Sequence, residues 1–180
     1  GYEGLREQVE LEKKIVHETC IANGGLSKGP KAGYDWFHSR FSTKKIQDHH
    51  AVKGGTSDAI EVAAPWDCIG KVWEEMRKAL EPISNEVECH FSHVYHTGAS
   101  VYVIFHALTG GDDVKGEERY LQCARTAVEN SLKNGGNISH HHGIGKLKAD
   151  YMCCEHGKAG VEVMKKIKDV LDPKGLLNKG

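Results

Sequence analysis

Three adjacent histidines, His140, His141 and His142, stand in the run Asn137-Ile138-Ser139-His140-His141-His142-Gly143-Ile144-Gly145-Lys146. Imidazole titrates near neutral pH, so a positioned histidine can both take and give a proton. Three in a row cannot all face a core, whether the segment is strand, helix or loop. Gly135-Gly136 before the run, and Gly143 and Gly145 after it, permit positive φ or a close approach of backbone to a ligand. Proton transfer at a bound ligand is the chemistry this pattern fits. A surface tract that binds metal through composition alone is the other reading. The internal position and the ordered Gly-Ile-Gly-Lys that comes after it argue against a tag remnant.

A second set, His90, His93 and His96, brackets Tyr95. In a strand, His93 and Tyr95 point one way while His90, Val94 and His96 point the other. His90 and His93 then share no face, which favours half-exposed polar positions over a zinc site. Tyr102 lies in the apolar stretch Ala99-Ser100-Val101-Tyr102-Val103-Ile104-Phe105. The pattern favours a core tyrosine with a satisfied hydroxyl; the alternative is a phenol exchanging protons with the histidines. Lys146, Lys148 and Arg40 could meet a phosphate, but the GxxxxGK[ST] spacing of a P-loop is missing. No Cys/His spacing matches a structural zinc site, so no metal is expected. The six cysteines contain no CxxC pair and are read as reduced thiols of an intracellular protein.

These residues need elements to position them. Residues 5–22 read as a helix closed by Asn23-Gly24-Gly25. Residues 27–33 read as a loop, and 43–48 as a short helix. A strand over 58–63 leads into a helix to about Leu80, with Pro65 in its first turn. Residues 86–94 and 99–105 read as strands joined at Thr97-Gly98. A long helix covers 116–133, the histidine run is a loop, and a last helix covers 160–171 before Asp172-Pro173. This order predicts an α+β fold: an antiparallel sheet with helices packed on one side, plus C-terminal helices. The 180 residues are 39% hydrophobic and 27% charged, in the range of a soluble domain. A net charge of -1 gives no field favouring nucleic acid. No apolar run reaches the ~20 residues of a membrane span. The start at Gly1-Tyr2-Glu3-Gly4, without methionine, reads as a piece of something longer.

Several segments together resemble one family. They are Glu3-Gly4-Leu5-Arg6-Glu7-Gln8-Val9, Asn23-Gly24-Gly25, the stretch from Gly33 through Trp36 to Arg40-Phe41, and Ala64-Pro65-Trp66-Asp67. To these add His93-Val94-Tyr95-His96-Thr97-Gly98-Ala99 with Tyr102, the histidine run from Asn134 to Leu147, and the tail Asp172-Pro173-Lys174-Gly175-Leu176-Leu177-Asn178. The chain resembles the C-terminal half of alkyldihydroxyacetonephosphate synthases, a branch of the vanillyl-alcohol-oxidase-type FAD-linked oxidases. The histidine and tyrosine motifs are specific; the tail is shared widely.

The resemblance implies that residues 1–180 form a cap domain over FAD, with the FAD-binding domain of the same parent protein as its partner. It implies exchange of the acyl chain of acyl-dihydroxyacetonephosphate for a fatty alcohol, a lipid-making step with no net redox change. Tyr102 falls on the family's active-site tyrosine, and His140, His141 and His142 on its catalytic triplet. His142, Gly143 and Lys146 fall beside the cofactor. Arg40 and Gln47 fall in the substrate-binding region, where the family has an arginine at the position of Gln47. Glutamine lacks the charge and the bidentate fork that suit phosphate. Either Arg40, Lys44 or Lys45 substitutes, or the substrate is a hydroxyacid or alcohol without phosphate. The hydroxyacid dehydrogenases of the wider family carry Gly-Glu-His where this chain has His140-His141-His142, which favours the synthase branch. A non-catalytic binding module is the reading from a different class. The resemblance is compatible with a homodimer, with membrane association of the intact enzyme, and with a cytoplasmic or peroxisomal location; the end Leu177-Asn178-Lys179-Gly180 shows no Ser-Lys-Leu address.

Overall fold

The computed structural model describes residues 1–42 and 54–178, and the chain divides into two compact units, Gly1–Asp48 and His49–Gly180. In the first unit, α1 runs Arg6–Ala22 and α2 runs Lys31–Ser39. The loop expected over 27–33 is therefore shorter, because α2 starts directly behind Pro30, whose carbonyl accepts the Tyr34 N–H at 3.1 Å. Arg40 comes just after α2, with its guanidinium 3.8 Å from the Phe37 ring centroid and 4.4 Å from that of Phe41. The expected helix over 43–48, and Gln47 with it, lies outside the described residues.

In the second unit, β1 (Gly55–Pro65), α3 (Ile69–Leu80), β2 (Glu86–Ser92), β3 (Gly98–Leu108) and α4 (Asp113–Lys133) come first. The short α5 (Gly145–Lys148) and the longer α6 (Met152–Leu171) come next. The three strands form one antiparallel sheet in the order β1-β3-β2. Alternation decides which face is covered. Ile60 and Val62 of β1 and Val101, Val103 and Phe105 of β3 are buried on one side. Val72, Met76 and Leu80 of α3, at spacings of four, and Ala124, Ala127 and Val128 of α4 join them in one core. Burying side chains of this size contributes roughly 1.5–3 kcal/mol each for the larger ones, so the register is firmly held. A slip of one residue would turn every apolar side chain outward. Both helices lie on the core side, as the sequence predicts.

Several ends differ from the sequence reading. Pro65 is the last residue of β1, paired with Gly98, and α3 starts later, at Ile69. An edge strand tolerates a proline because one row of its N–H groups needs no partner. β2 stops at Ser92 because His93 takes the left-handed φ of 47° and carries the chain out of the ladder. α4 starts at Asp113, where the Asp112 side chain accepts the Lys115 N–H at 3.1 Å as an N-cap. α6 begins at Met152 and is broken by Gly157, at φ 68° and ψ 162°. All six cysteines are free thiols. Among the described residues, no helix is long and apolar enough to cross a membrane.

Candidate active site

The face of the sheet opposite the core carries the polar row. Register pairs Glu61 of β1 with Tyr102 of β3, and Tyr102 with His90 of β2. Even positions on β3 and odd positions on β1 must point this way once their neighbours point into the core.

The histidine loop is laid over one end of this row. α4 ends at Lys133 with Asn134 as its C-cap, and Gly136 then passes so close to the helix that a Cβ there would lie 2.3 Å from Ser131 Oγ. Asn137 continues the edge of β1: its N–H donates to Ala63 O at 2.9 Å, and its Oδ1 accepts the Ala63 N–H at 2.6 Å. Ser131 Oγ donates to Asn137 O at 2.7 Å, and the Ile138 N–H donates to Glu155 at 2.6 Å. Ile138 itself is fully buried. The loop is thus anchored on both sides before the first histidine is reached.

Glu61, 0% exposed, organises the three histidines. Its Oε2 accepts the backbone N–H of His140 at 2.9 Å and of His141 at 3.0 Å, with that of His142 at 3.5 Å. Its Oε1 lies 2.9 Å from Nδ1 of both His140 and His141, and those two nitrogens are 3.1 Å apart. Three acceptor atoms so close repel unless a proton lies between them. An Nδ1–H donating to the carboxylate satisfies the contact and leaves Nε2 of the same ring bare. Burial pushes the Glu61 carboxyl up, but the N–H groups of His140 and His141 and the neighbouring His141 ring outweigh it and hold it below the usual value. Lys148, 4% exposed, donates from Nζ to Glu61 O at 3.1 Å. Burial lowers its pKa, while Glu61 and Glu155 act in the opposite direction. The buried carboxylate is therefore surrounded by donors, the condition under which a buried charge is tolerated.

The rings continue across the sheet. His141 and His142 have centroids 4.6 Å apart, and His142 stands perpendicular to Tyr102 at 5.1 Å. Tyr102 stacks on His90 at 4.6 Å. His93 lies 4.5 Å from His141 and 5.3 Å from His140. The Tyr95 hydroxyl is 3.0 Å from His140 Nε2. Burial, then the charges of Asp58 and Glu61, raise the Tyr102 pKa, so its phenol keeps its proton. Burial and the neighbouring His141 lower the His142 pKa, so that imidazole is neutral near pH 7. The pair has a proton donor and a proton acceptor at working pH.

The structure brings together Tyr102, His140, His141 and His142. It corrects the core reading of Tyr102, which is half-buried on the face away from the helices. It also corrects the reading of His90 and His93 as unrelated strand positions: the left-handed turn at His93 swings that ring over the loop. His142, Gly143 and Lys146 are exposed. Arg40 belongs to the other unit. Glu61 is the residue that sequence reasoning missed. Its signal was a lone acid among the apolar residues of Ala59-Ile60-Glu61-Val62-Ala63. Glu61, His140 and His141 bring ligand atoms within 4.8 Å of one another, as do Glu86, Glu88 and His106 on the open sheet.

Known proteins match the chain along its length. A family described as FAD linked oxidases, C-terminal domain, matches residues 2–180. An alkyldihydroxyacetonephosphate synthase of Trypanosoma brucei brucei is 26% identical over 186 residues, covering 100% of this chain and 30% of that protein. A D-2-hydroxyglutarate dehydrogenase of Stutzerimonas stutzeri is 36% identical over 187 residues, covering 99% of this chain and 38% of that protein. A solved alkyldihydroxyacetonephosphate synthase structure superposes with a TM-score of 0.60 at 18% identity, over 98% of this chain and 30% of that one, and shares the fold. The chain spans about 30% of the length of the synthases it matches.

FAD is the family's cofactor, and the residues fit one end of it. The open imidazole and phenol rings suit a flat, polar-edged ring system. The loop N–H groups of His140 and His141 are engaged by Glu61, so they form no cradle for the pyrophosphate. His142, Gly143 and Lys146 are exposed on the same loop. By its matched length, its fold and this fit, the chain belongs to the FAD linked oxidases, as their C-terminal domain.

Proposed function

We propose that this chain is the substrate-side domain of an FAD-dependent enzyme that works as alkyldihydroxyacetonephosphate synthases do, replacing the acyl chain of acyl-dihydroxyacetonephosphate by a fatty alcohol. An FAD-binding domain elsewhere in the parent protein completes the site. The observation that carries this reading is the placement of His142 perpendicular to Tyr102 at 5.1 Å and beside His141, itself backed by the buried Glu61. Acyl-for-alkyl exchange needs a proton removed at the reacting carbon and later returned. FAD supplies the redox-active ring against which the substrate reacts. His141, oriented through Nδ1, offers Nε2 as the base, and Tyr102 serves as the acid. Lys146, exposed on the histidine loop, is a cation available to a substrate phosphate.

A second reading, an FAD-linked oxidoreductase of a hydroxyacid, draws on the 36% identity to the D-2-hydroxyglutarate dehydrogenase and on Gln47 in place of the family's arginine. The two separate in one experiment. The intact flavoprotein is mixed anaerobically with acyl-dihydroxyacetonephosphate and, separately, with D-2-hydroxyglutarate or D-lactate, and flavin absorbance is monitored. Bleaching by the phosphate ester and recovery on adding a fatty alcohol is expected. Bleaching by a hydroxyacid alone, with recovery only on adding an electron acceptor, would overturn the first reading in favour of the second.

A further inference from the structure

We propose that Glu61, His140 and Tyr95 form the outer leg of a proton relay serving His141, and that the Tyr95 phenol is where the site exchanges protons with water. The proposal rests on the reading of His141 as a base.

The contacts are continuous. Tyr95 Oη is 3.0 Å from His140 Nε2. His140 Nδ1 is 2.9 Å from Glu61 Oε1, and that oxygen is 2.9 Å from His141 Nδ1. Each step is a hydrogen-bond distance between atoms that can pass a proton. Exposure rises along the leg: Glu61 is sealed, the His140 side chain is 22% exposed and Tyr95 is 52% exposed.

The leg also changes sides. Tyr95 and His140 line a cavity of about 510 Å³ with Pro65, Thr97, Gly136 and Asn137. Tyr102, His141 and His142 do not line it. A ligand covering the Tyr102 side therefore leaves the Tyr95 side open to water. Tyr95 is held there. Its N–H donates to Gly98 O at 2.8 Å, and Trp66 Nε1 donates to Tyr95 O at 3.0 Å. An exposed tyrosine with its backbone fixed at both polar atoms and its hydroxyl on an imidazole is more ordered than a solvated surface residue needs to be.

The transfer balances. His141 takes a proton at Nε2 and releases the one on Nδ1 to Nδ1 of His140, 3.1 Å away, while the Glu61 carboxylate beside both nitrogens stabilises the charge in transit. His140 gives its Nε2 proton to the phenol oxygen, and the phenol's own proton leaves to water. The reverse sequence returns a proton in the second half of the exchange and restores both imidazole tautomers.

The test is Tyr95→Phe in the intact, flavin-loaded protein. Turnover in dilute buffer is expected to fall about tenfold, less than the 10²–10⁴ of a group acting on substrate, and concentrated imidazole buffer is expected to restore it. No loss, or a loss that no buffer rescues, would overturn the relay. A second readout needs no substrate. In protein labelled with ¹⁵N-histidine, Tyr95→Phe should shift the His140 Nε2 resonance, and an unmoved resonance also overturns the proposal. A wild-type protein inert toward the phosphate ester, yet showing the shift, would defeat the synthase reading and leave the relay standing.

Discussion

Glu61→Gln is expected to lower turnover of the flavin-loaded protein by about 10³-fold, with the loss falling on kcat rather than KM. A carboxylate accepts at both oxygens, and Glu61 uses both: Oε2 for the N–H groups of His140 and His141, Oε1 for Nδ1 of His141. Glutamine accepts at one end and donates at the other. Keeping the backbone contacts points its NH₂ at the His141 imidazole, which must then bare Nδ1 and carry the proton on Nε2. The base atom of His141 would already be protonated. The same inversion behind a serine-protease histidine costs about 10⁴. The size of the side chain is unchanged, so the core on the other face of β1 should stay intact. Steady-state rates beside a thermal melt check this; an unaltered kcat would remove Glu61 from the site.

Tyr102→Phe is the second large effect, about 10²–10⁴ in turnover. Phenylalanine keeps the stack on His90 and the perpendicular contact with His142, so only the hydroxyl is lost. No described residue takes a hydrogen bond from that hydroxyl, and its removal should therefore not destabilise the fold. The directions of the shifts set the pH dependence. The raised Tyr102 pKa keeps the acid form present past the ordinary value of about 10, so the alkaline limb of the rate profile should lie above it. The lowered His142 pKa keeps the ring beside Tyr102 uncharged over the same range. Stability carries the same sign: the contribution from a raised tyrosine pKa is complete below about 10 and is lost as pH rises through the folded value. Tyr102→Phe should abolish the alkaline limb of the rate. A limb that survives the substitution belongs to another group.

The sheet was legible because alternation and apolar runs are local signals. Val101, Val103 and Phe105 mark the core face of β3, and Ile60 and Val62 that of β1, whatever the rest of the chain does. The same alternation places Tyr102 on the open face, although its apolar neighbours in sequence favour a core position. The histidine run was legible by composition and, more sharply, by resemblance. Glu61 was not, since its one local mark is a lone acid in an apolar strand, and the donors that fix its charge come from residues about 80 positions later. Nor can a strand pattern show His93 leaving the ladder at φ 47°. Long-range hydrogen bonds and single backbone turns are properties of the folded chain, and the two residues that complete the candidate site depend on them.

A crystal structure of the intact flavin-loaded protein tests the placement of the site most directly. The flavin ring is expected over the open face of the sheet, with its reactive edge facing Tyr102, His141 and His142 across a space that fits a substrate carbon at about 3–3.5 Å from the reacting groups. A ring bound elsewhere, with Tyr102 and the histidine loop left facing solvent, would contradict it.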